Sequence, residues 1–436
     1  MPSVLYRLER DRNFLRLLIS IFISVLGDGA YFIVLGWFVL NVTGSEFALG
    51  TTLTFASIPR IVFMLIGGAM ADRFDRKRIL VLSLISRAVF LAAFVTLLIF
   101  MHGKPSLWMI DVIAVLFGTI DAFFYPAYNS MIPSVVPKNV LDRANSLVQT
   151  VQQISTVLGP LLAAGLLWFH TFSVMFIVIA GLFALSSTML SFLRLHQEED
   201  DTGNAEAEAS ASMWRSIEEG IRFVMTVRIL LMVMVVALGI NLLFMGPINI
   251  GIPILVKSHG WSGSIYGTYE SGFGIGTVIG GVLVAIMRGF RGKFLWLGWL
   301  GALMGLAMAA IGFVPFVWGG IGLMGIMGIM VSVVNIPLIT YIQTIVPSDK
   351  LGRTMSLLTL MSVGLVPVSY TASSFLLQQK VMSDRSLLFW CGLAMAALFF
   401  ALYFFKEFRV MESNPMWRKK VNGGVNEHGE GAFDRI

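Results

Sequence analysis

Twelve runs of mostly apolar residues divide this 436-residue chain, and no other feature limits its fold so tightly. A helix needs about twenty such residues to cross the hydrocarbon core of a bilayer. The runs lie near 14–40, 47–70, 79–101, 106–128, 146–169 and 171–194, and then near 229–256, 263–287, 294–314, 316–343, 354–379 and 385–406. Charged residues are only 13% of the chain against 57% apolar, with a mean hydropathy of +0.82. A soluble chain carries about twice that charge. So much apolar surface exceeds what a soluble core buries, and lipid must be the solvent for much of it. The expected fold is an all-α integral membrane protein of twelve transmembrane helices in two six-helix halves. The single cysteine, Cys391, excludes disulfides and thiolate metal sites within one chain. The first run is too long for a signal-peptide core and lacks a small-residue cleavage site, so no cleaved leader is expected.

The net charge of +6 is a topology signal. With the N-terminus placed inside, 25 of the 31 Lys and Arg fall on inner segments. Outer loops hold four (Lys104, Lys257, Lys380 and Arg385), and Arg60 and Arg87 fall within spans. That excess predicts cytoplasmic termini and makes a nucleic-acid partner unnecessary. The expected organisation is an N-terminal half at 1–194, a cytoplasmic linker at 195–228, a C-terminal half at 229–406 and a disordered cytoplasmic tail at 407–436. In the linker an acidic run, Glu198 to Asp201, precedes Trp214, Ile217, Ile221 and Val224 at helical spacing, which predicts an amphipathic helix on the inner membrane face.

The two halves repeat. PKNVLDRANSL at 137–147 aligns without gaps on PSDKLGRTMSL at 347–357, at an offset of 210. An offset of 213 sets Gly67 and Gly68 on Gly280 and Gly281, and Asp28 on Asn241. Two parallel repeats with a site between them are a transporter plan.

Ionisable residues inside spans are costly and are functional candidates by default. Asp28, Arg60, Arg87, Asp111, Asp121 and Glu270 are such residues, Asp111 lying near a span end where it can reach water. Asp28 shares a helix face with Ser24 and Tyr31, and Asp121 shares one with Phe124, Tyr125 and Tyr128. Burial opposes ionisation of a carboxylate and a nearby arginine favours it. Asp28, Asp121 and Glu270, with Arg60 and Arg87, are therefore the proton-coupling candidates. The alternative is a static ion pair, Asp28 or Asp121 with either arginine, that braces the helices. Tyr31, Phe124, Tyr125, Asn241, Phe244 and Asn335 are candidate cavity residues, and the 25 methionines suit an adaptable pocket, although Met and Phe in a span also face lipid.

Between the second and third spans the chain reads GGAMADRFDRKR, residues 67–78. This resembles the loop signature of the major facilitator superfamily, G-x-x-x-D-R-x-G-R-R. Gly68, Asp72, Arg73, Arg76 and Lys77 fit it, while Asp75 stands where that family often has glycine. The resemblance implies that Asp72 meets the N-terminus of the eleventh helix, a favourable place for a carboxylate, and biases a conformational switch. The other reading of the cluster is topology alone. LGPLLAAG in the fifth span, with Gly159, Pro160 and Gly165, resembles a shortened antiporter signature, although Gly-Pro pairs also serve as packing kinks. The fourth span lacks the arginine signature of drug exporters and carries Asp121 instead. Over residues 10–406, including FYPAYNSMIPSVVP, the chain most resembles the drug:proton antiporters grouped with macrolide efflux proteins, and also siderophore exporters of the enterobactin type.

That resemblance implies export of amphipathic small molecules by proton antiport and alternating access, from a monomer in a bacterial cytoplasmic membrane. The expected partners are substrate, protons and lipid, with no cofactor and no metal. A siderophore or metabolite exporter and a passive facilitator stay open. An enzyme is not expected: the chain has no zinc signature, nucleophile elbow or phosphate loop. The GxGxxG at Gly320, Gly322 and Gly325 lies inside an apolar span with no preceding strand, where helix packing explains it.

Overall fold

The computed structural model describes residues 8, 11–73, 75–169, 171–193, 222, 225–287, 294–411 and 417, with the side chains of 64–73, Tyr125, Lys138 and several of 348–356 excluded. Ten of its helices are long and apolar enough to cross a membrane among the described residues. Large apolar side chains such as Leu82, Ile99, Trp168 and Trp318 are exposed on them, as a lipid solvent requires.

The first half contributes α1 (Arg12–Thr43), α2 (Glu46–Arg73), α3 (Arg76–Phe100), α4 (Leu107–Met131), α5 (Leu141–Leu166) and α6 (Phe172–Ser191). Asp11 starts α1 by accepting from the amides of Asn13 (2.7 Å) and Phe14 (3.2 Å). Asp75, the departure from the loop signature, does the same for α3: its carboxylate accepts from the amides of Lys77 and Arg78. Gly44, at φ 62°, ends α1 with an amide bond back to Leu40.

The seventh span differs from a plain helix. α7 (Arg228–Gly246) runs into a π turn at Pro247–Gly251 and then α8 (Ile252–Ser258). Pro247 and Pro253 bracket that turn, and neither donates to the helix ladder. α9 (Gly263–Ile286), α10 (Leu295–Ile311) and α11 (Val317–Ile345) follow. The expected eleventh span, 354–379, is in fact two helices, α12 (Ser348–Gly364) and α13 (Val366–Gln378), separated at Leu365. Pro367 has no N–H to return to Val363, so the ladder has its gap there. α14 (Asp384–Ala401) and the short α15 (Lys406–Arg409) complete the chain. The start of the expected disordered tail is ordered: α15 is helical, Phe408 and Met411 are buried, and Trp417 packs edge-on to Phe294 and at an angle to Tyr341. The proposed amphipathic helix of the linker lies outside the described residues.

The chain folds into two compact units that do not coincide with the expected halves. The first is Met1–Asp201 with Met245–Gly274 and Val366–Leu387. Within it, α8, the start of α9 and α13 close against the end of α1 and the start of α2. Lys257 Nζ donates to Leu40 O at 2.6 Å, and Gln378 Oε1 accepts from Ser45 Oγ and the Phe47 amide. Thr54 meets Thr371 at 3.0 Å, and Trp37 stacks on Tyr266. The second unit is Thr202–Phe244, Ile275–Leu365 and Leu388–Ile436. Leu230, Val233, Met234, Ile342, Val346 and Leu357 form a core there. A side chain at Gly276 would strike the backbone of Gly325, so this glycine of the GxGxxG run serves helix packing.

Candidate functional site

Arg87, on α3, has no exposed surface. A buried guanidinium must be paired to be tolerated. Its Nη1 donates to Asp28 Oδ1 of α1 and its Nη2 to Asp121 Oδ1 of α4, both at 2.7 Å. Three rings surround the cation, with Phe124 at 4.8 Å, Phe117 at 5.3 Å and Phe183 at 5.5 Å from the guanidinium carbon. Arg60 of α2 completes the cluster, its Nε lying 3.1 Å from Asp121 Oδ2. Four helices thus carry two cations and two anions in one continuous network.

Close helix crossings put these groups within reach. A Cβ at Gly118 would collide with the Ala56 carbonyl, so α2 and α4 touch backbone to backbone one turn from Arg60 and Asp121. A Cβ at Gly159 would lie 3.0 Å from Gly29 Cα and 3.2 Å from Leu26 O. The α1–α5 crossing therefore falls one residue from Asp28. This is the role of Gly159 in the fifth-span motif. Pro160 follows it and leaves the Thr156 carbonyl without a helix donor. Gly165 has open space and no such reason.

A cavity of about 350 Å³ lies inside the first unit. Asp28, Arg60 and Asp121 form one charged wall, with Thr156 and Pro160 beside them. Asn249 of the π turn, Tyr266 and Glu270 of α9, and Tyr370 of α13 form the other polar lining, while Phe32, Ile33 and Leu53 add apolar surface. Asp28 Oδ2 and Glu270 Oε1 are buried and have no hydrogen-bond partner among the described residues, as do Ser24 Oγ and Tyr31 Oη.

The structure therefore brings together all five proton-coupling candidates except that Glu270 stands apart from the ion pairs. The static-pair alternative holds in part, since Arg87 pairs with both aspartates. Of the expected cavity residues with described side chains, none lines this cavity. Tyr31 is buried and stacks on Phe117 at 3.8 Å, and Phe124 packs on Arg87. Asn241 and Phe244 belong to the second unit, where Asn241 donates to the Ala237 carbonyl and Phe244 is buried. Asn335 of that unit is exposed, and the side chain of Tyr125 lies outside the described residues. Asn249, Thr156, Tyr370 and Phe32 were missed; polar residues beside prolines in apolar spans were the available signal for the first two. Asp111 accepts from Thr52 Oγ1 at 2.6 Å, tying α4 to α2.

In the loop signature, Gly68, Asp72 and Arg73 have side chains outside the described residues, although their backbone continues α2. Arg76 Nη1 donates to Ser130 O (3.1 Å) and Ser134 Oγ (3.3 Å) at the end of α4. Lys77 Nζ donates to Ser191 O and Leu193 O, and Arg16 to Phe192 O, all at the C-terminus of α6. Cations there complement the helix dipole.

Apolar helices that enclose charged side chains beside a cavity mark a multi-pass membrane protein. The Major Facilitator Superfamily model matches residues 17–370, and the chain belongs to that family. It is 30% identical over 208 residues to the multidrug efflux pump Tap of Mycolicibacterium fortuitum, covering 45% of this chain and 48% of the pump. It is 24% identical over 257 residues to macrolide efflux protein A of Streptococcus pyogenes, covering 58% of this chain and 61% of that protein. The chain spans about half to two-thirds of the length of the curated relatives it matches. Among solved structures, the nucleoside transporter NupG shares the fold with a TM-score of 0.69 at 12% identity, over 92% of this chain and 99% of that one.

Proposed function

We propose that this protein exports amphipathic small molecules by proton antiport, with Asp28 as the group that takes up and releases the proton. The observation that carries this reading is the state of the Asp28 carboxylate. One oxygen is held by Arg87, and the other is buried at the cavity without a partner. A proton on Asp28 weakens its pairing with Arg87, which keeps Asp121. Gly29, the next residue, is in backbone contact with Gly159 of α5, so the change in pairing acts beside a helix crossing. Alternating access then exposes the cavity to each side in turn, with Arg76 and Lys77 bracing the ends of α4 and α6. Likeness to a macrolide efflux protein and a multidrug efflux pump supports export and an amphipathic substrate. The proposed orientation is cytoplasmic termini, from the charge bias.

The test is transport into proteoliposomes under an imposed pH gradient, with a macrolide and a cationic dye as substrates. Gradient-driven accumulation should be abolished by Asp28→Asn. Flux that merely equilibrates and ignores the gradient would mean a passive facilitator.

A further inference from the structure

We infer that the cavity selects an organic cation with a bulky apolar body, and that Glu270 is its counter-charge. This rests on the transport reading above and adds the substrate class. The argument begins with a charge count. Asp28 and Asp121 face the cavity, but Arg87 and Arg60 answer them with two positive charges. Glu270 faces the same space and has no ion-pair partner among the described residues, and its Oε1 has no hydrogen-bond donor. With all groups ionised, the lining carries one uncompensated negative charge.

A desolvated carboxylate without a partner requires a cation or a proton. A neutral ligand that fills the cavity leaves an ionised Glu270 unanswered, and an anion is repelled by it. A cation answers it. The surroundings suit a weakly hydrated organic cation better than a metal ion, because the neighbouring surface is aromatic and aliphatic. Tyr266 stands one turn from Glu270 on α9, and Phe32, Tyr370, Ile33 and Leu53 supply ring faces and apolar surface. At about 350 Å³ the space falls in the range that holds a drug-sized body.

The same count explains exchange. With Asp28 ionised the lining sums to one negative charge, which favours the bound cation. A proton on Asp28 brings the sum to zero, so proton uptake and cation release are coupled through the field in the cavity without direct contact between the two. Glu270 is thus a specificity-determining residue and Asp28 the coupling residue, and the two roles are separable.

Equilibrium binding of radiolabelled tetraphenylphosphonium to the purified full chain tests this, with triphenylphosphine oxide as an uncharged competitor of similar shape. Tetraphenylphosphonium should bind the natural protein, with the competitor at least about tenfold weaker. Glu270→Gln should lose about tenfold or more for the cation and leave the neutral compound unchanged, and Glu270→Asp should restore most of the loss. Equal binding of the cation by Glu270→Gln, or equal affinity of the two compounds for the natural protein, overturns the inference. If Glu270→Gln does not fold, the comparison of the two compounds on the natural protein and on Glu270→Asp still decides. Glu270-dependent binding without gradient-driven exchange would fail the antiport reading alone; gradient-driven exchange with charge-indifferent binding would fail the cation site alone.

Discussion

Removing Arg87 should be the most damaging single change in the charged cluster, and about half of the damage should be reversible at a second site. Arg87 is fully buried and holds two carboxylates at 2.7 Å. In Arg87→Met, Asp121 retains Arg60 at 3.1 Å, whereas Asp28 loses the one ion pair it makes among the described residues. Breaking a buried pair by removing one partner costs about 3–5 kcal/mol. Loss of the cation over three rings adds up to about 2 kcal/mol, and a methionine sulfur among those rings returns about 0.3–1.5 kcal/mol. The net expectation is destabilisation by about 3–5 kcal/mol. Asp28→Asn alone leaves Arg87 with Asp121 and should cost about 1–3 kcal/mol. In the double variant no charge is stranded, so it should be more stable than Arg87→Met by about 2 kcal/mol; adding the cost of Asp28→Asn alone, the double-mutant cycle should show a coupling of about 3–5 kcal/mol. Equilibrium unfolding in mixed micelles with increasing sodium dodecyl sulfate measures all four proteins. A cost below about 1 kcal/mol for Arg87→Met, or a double variant no better than that single one, would refute the reasoning, because the pairs would then contribute nothing net.

Gly159→Ala pushes a methyl group against Gly29 Cα and Leu26 O at 3.0 and 3.2 Å, and should cost about 1–3 kcal/mol in the same unfolding assay. Gly165→Ala meets nothing within 4 Å and should be neutral or stabilising by up to about 1 kcal/mol, which separates the two motif glycines. Asp75→Ala removes the cap of α3 and should cost about 1 kcal/mol, whereas Asp75→Gly, the family's usual residue, should cost only a few tenths relative to the aspartate. Lys257→Met removes a charged donor from Leu40 O, worth about 1.5–3 kcal/mol, at the side where α1 ends. It should favour states open on that side by about tenfold or more, read as faster maleimide labelling of Asn41→Cys in a Cys391→Ser background; an unchanged rate would show that the lysine is no latch.

The ten long apolar helices found among the described residues were legible because length and hydropathy are local properties of the chain. The interruptions were less so. Pro247, Pro253 and Pro367 were visible in the sequence, yet a proline in a span gives a kink, a π turn or a clean break depending on what neighbouring helices supply. The charged residues could be named but not paired, since pairing depends on which helices cross and at what depth. Nothing in the sequence places Gly29 against Gly159 or Gly118 against Ala56, and those two crossings set the cluster. The cavity was the poorest inference, and α1 shows why. Asp28 and Tyr31 share one side of the helix by spacing, but α1 meets the cavity through Asp28, Phe32 and Ile33, while Tyr31 is buried against other helices. Sharing a side with an aspartate does not point a ring at a cavity when neighbouring helices pack against part of that side. Tyr31 turns to Phe117 and Phe176 instead.

An arginine shared by two carboxylates suits a proton switch better than a simple pair. If Arg87 had Asp28 alone, protonating that aspartate would strand a buried cation at a cost of about 3–5 kcal/mol, and the proton would be held off by a factor of about a hundred to several thousand. With Asp121 retained, the loss is nearer that of one charged hydrogen bond, about 1.5–3 kcal/mol. Arg60 in turn answers the second oxygen of Asp121, so that aspartate keeps an ion pair on each oxygen when Asp28 releases Arg87. In the proposed cycle the two aspartates therefore take unequal roles, Asp121 being buried and Asp28 partly exposed. Asp121, held by both arginines, is the fixed member, and Asp28, with one oxygen unpartnered at the cavity, is the member that can change charge without dismantling the rest.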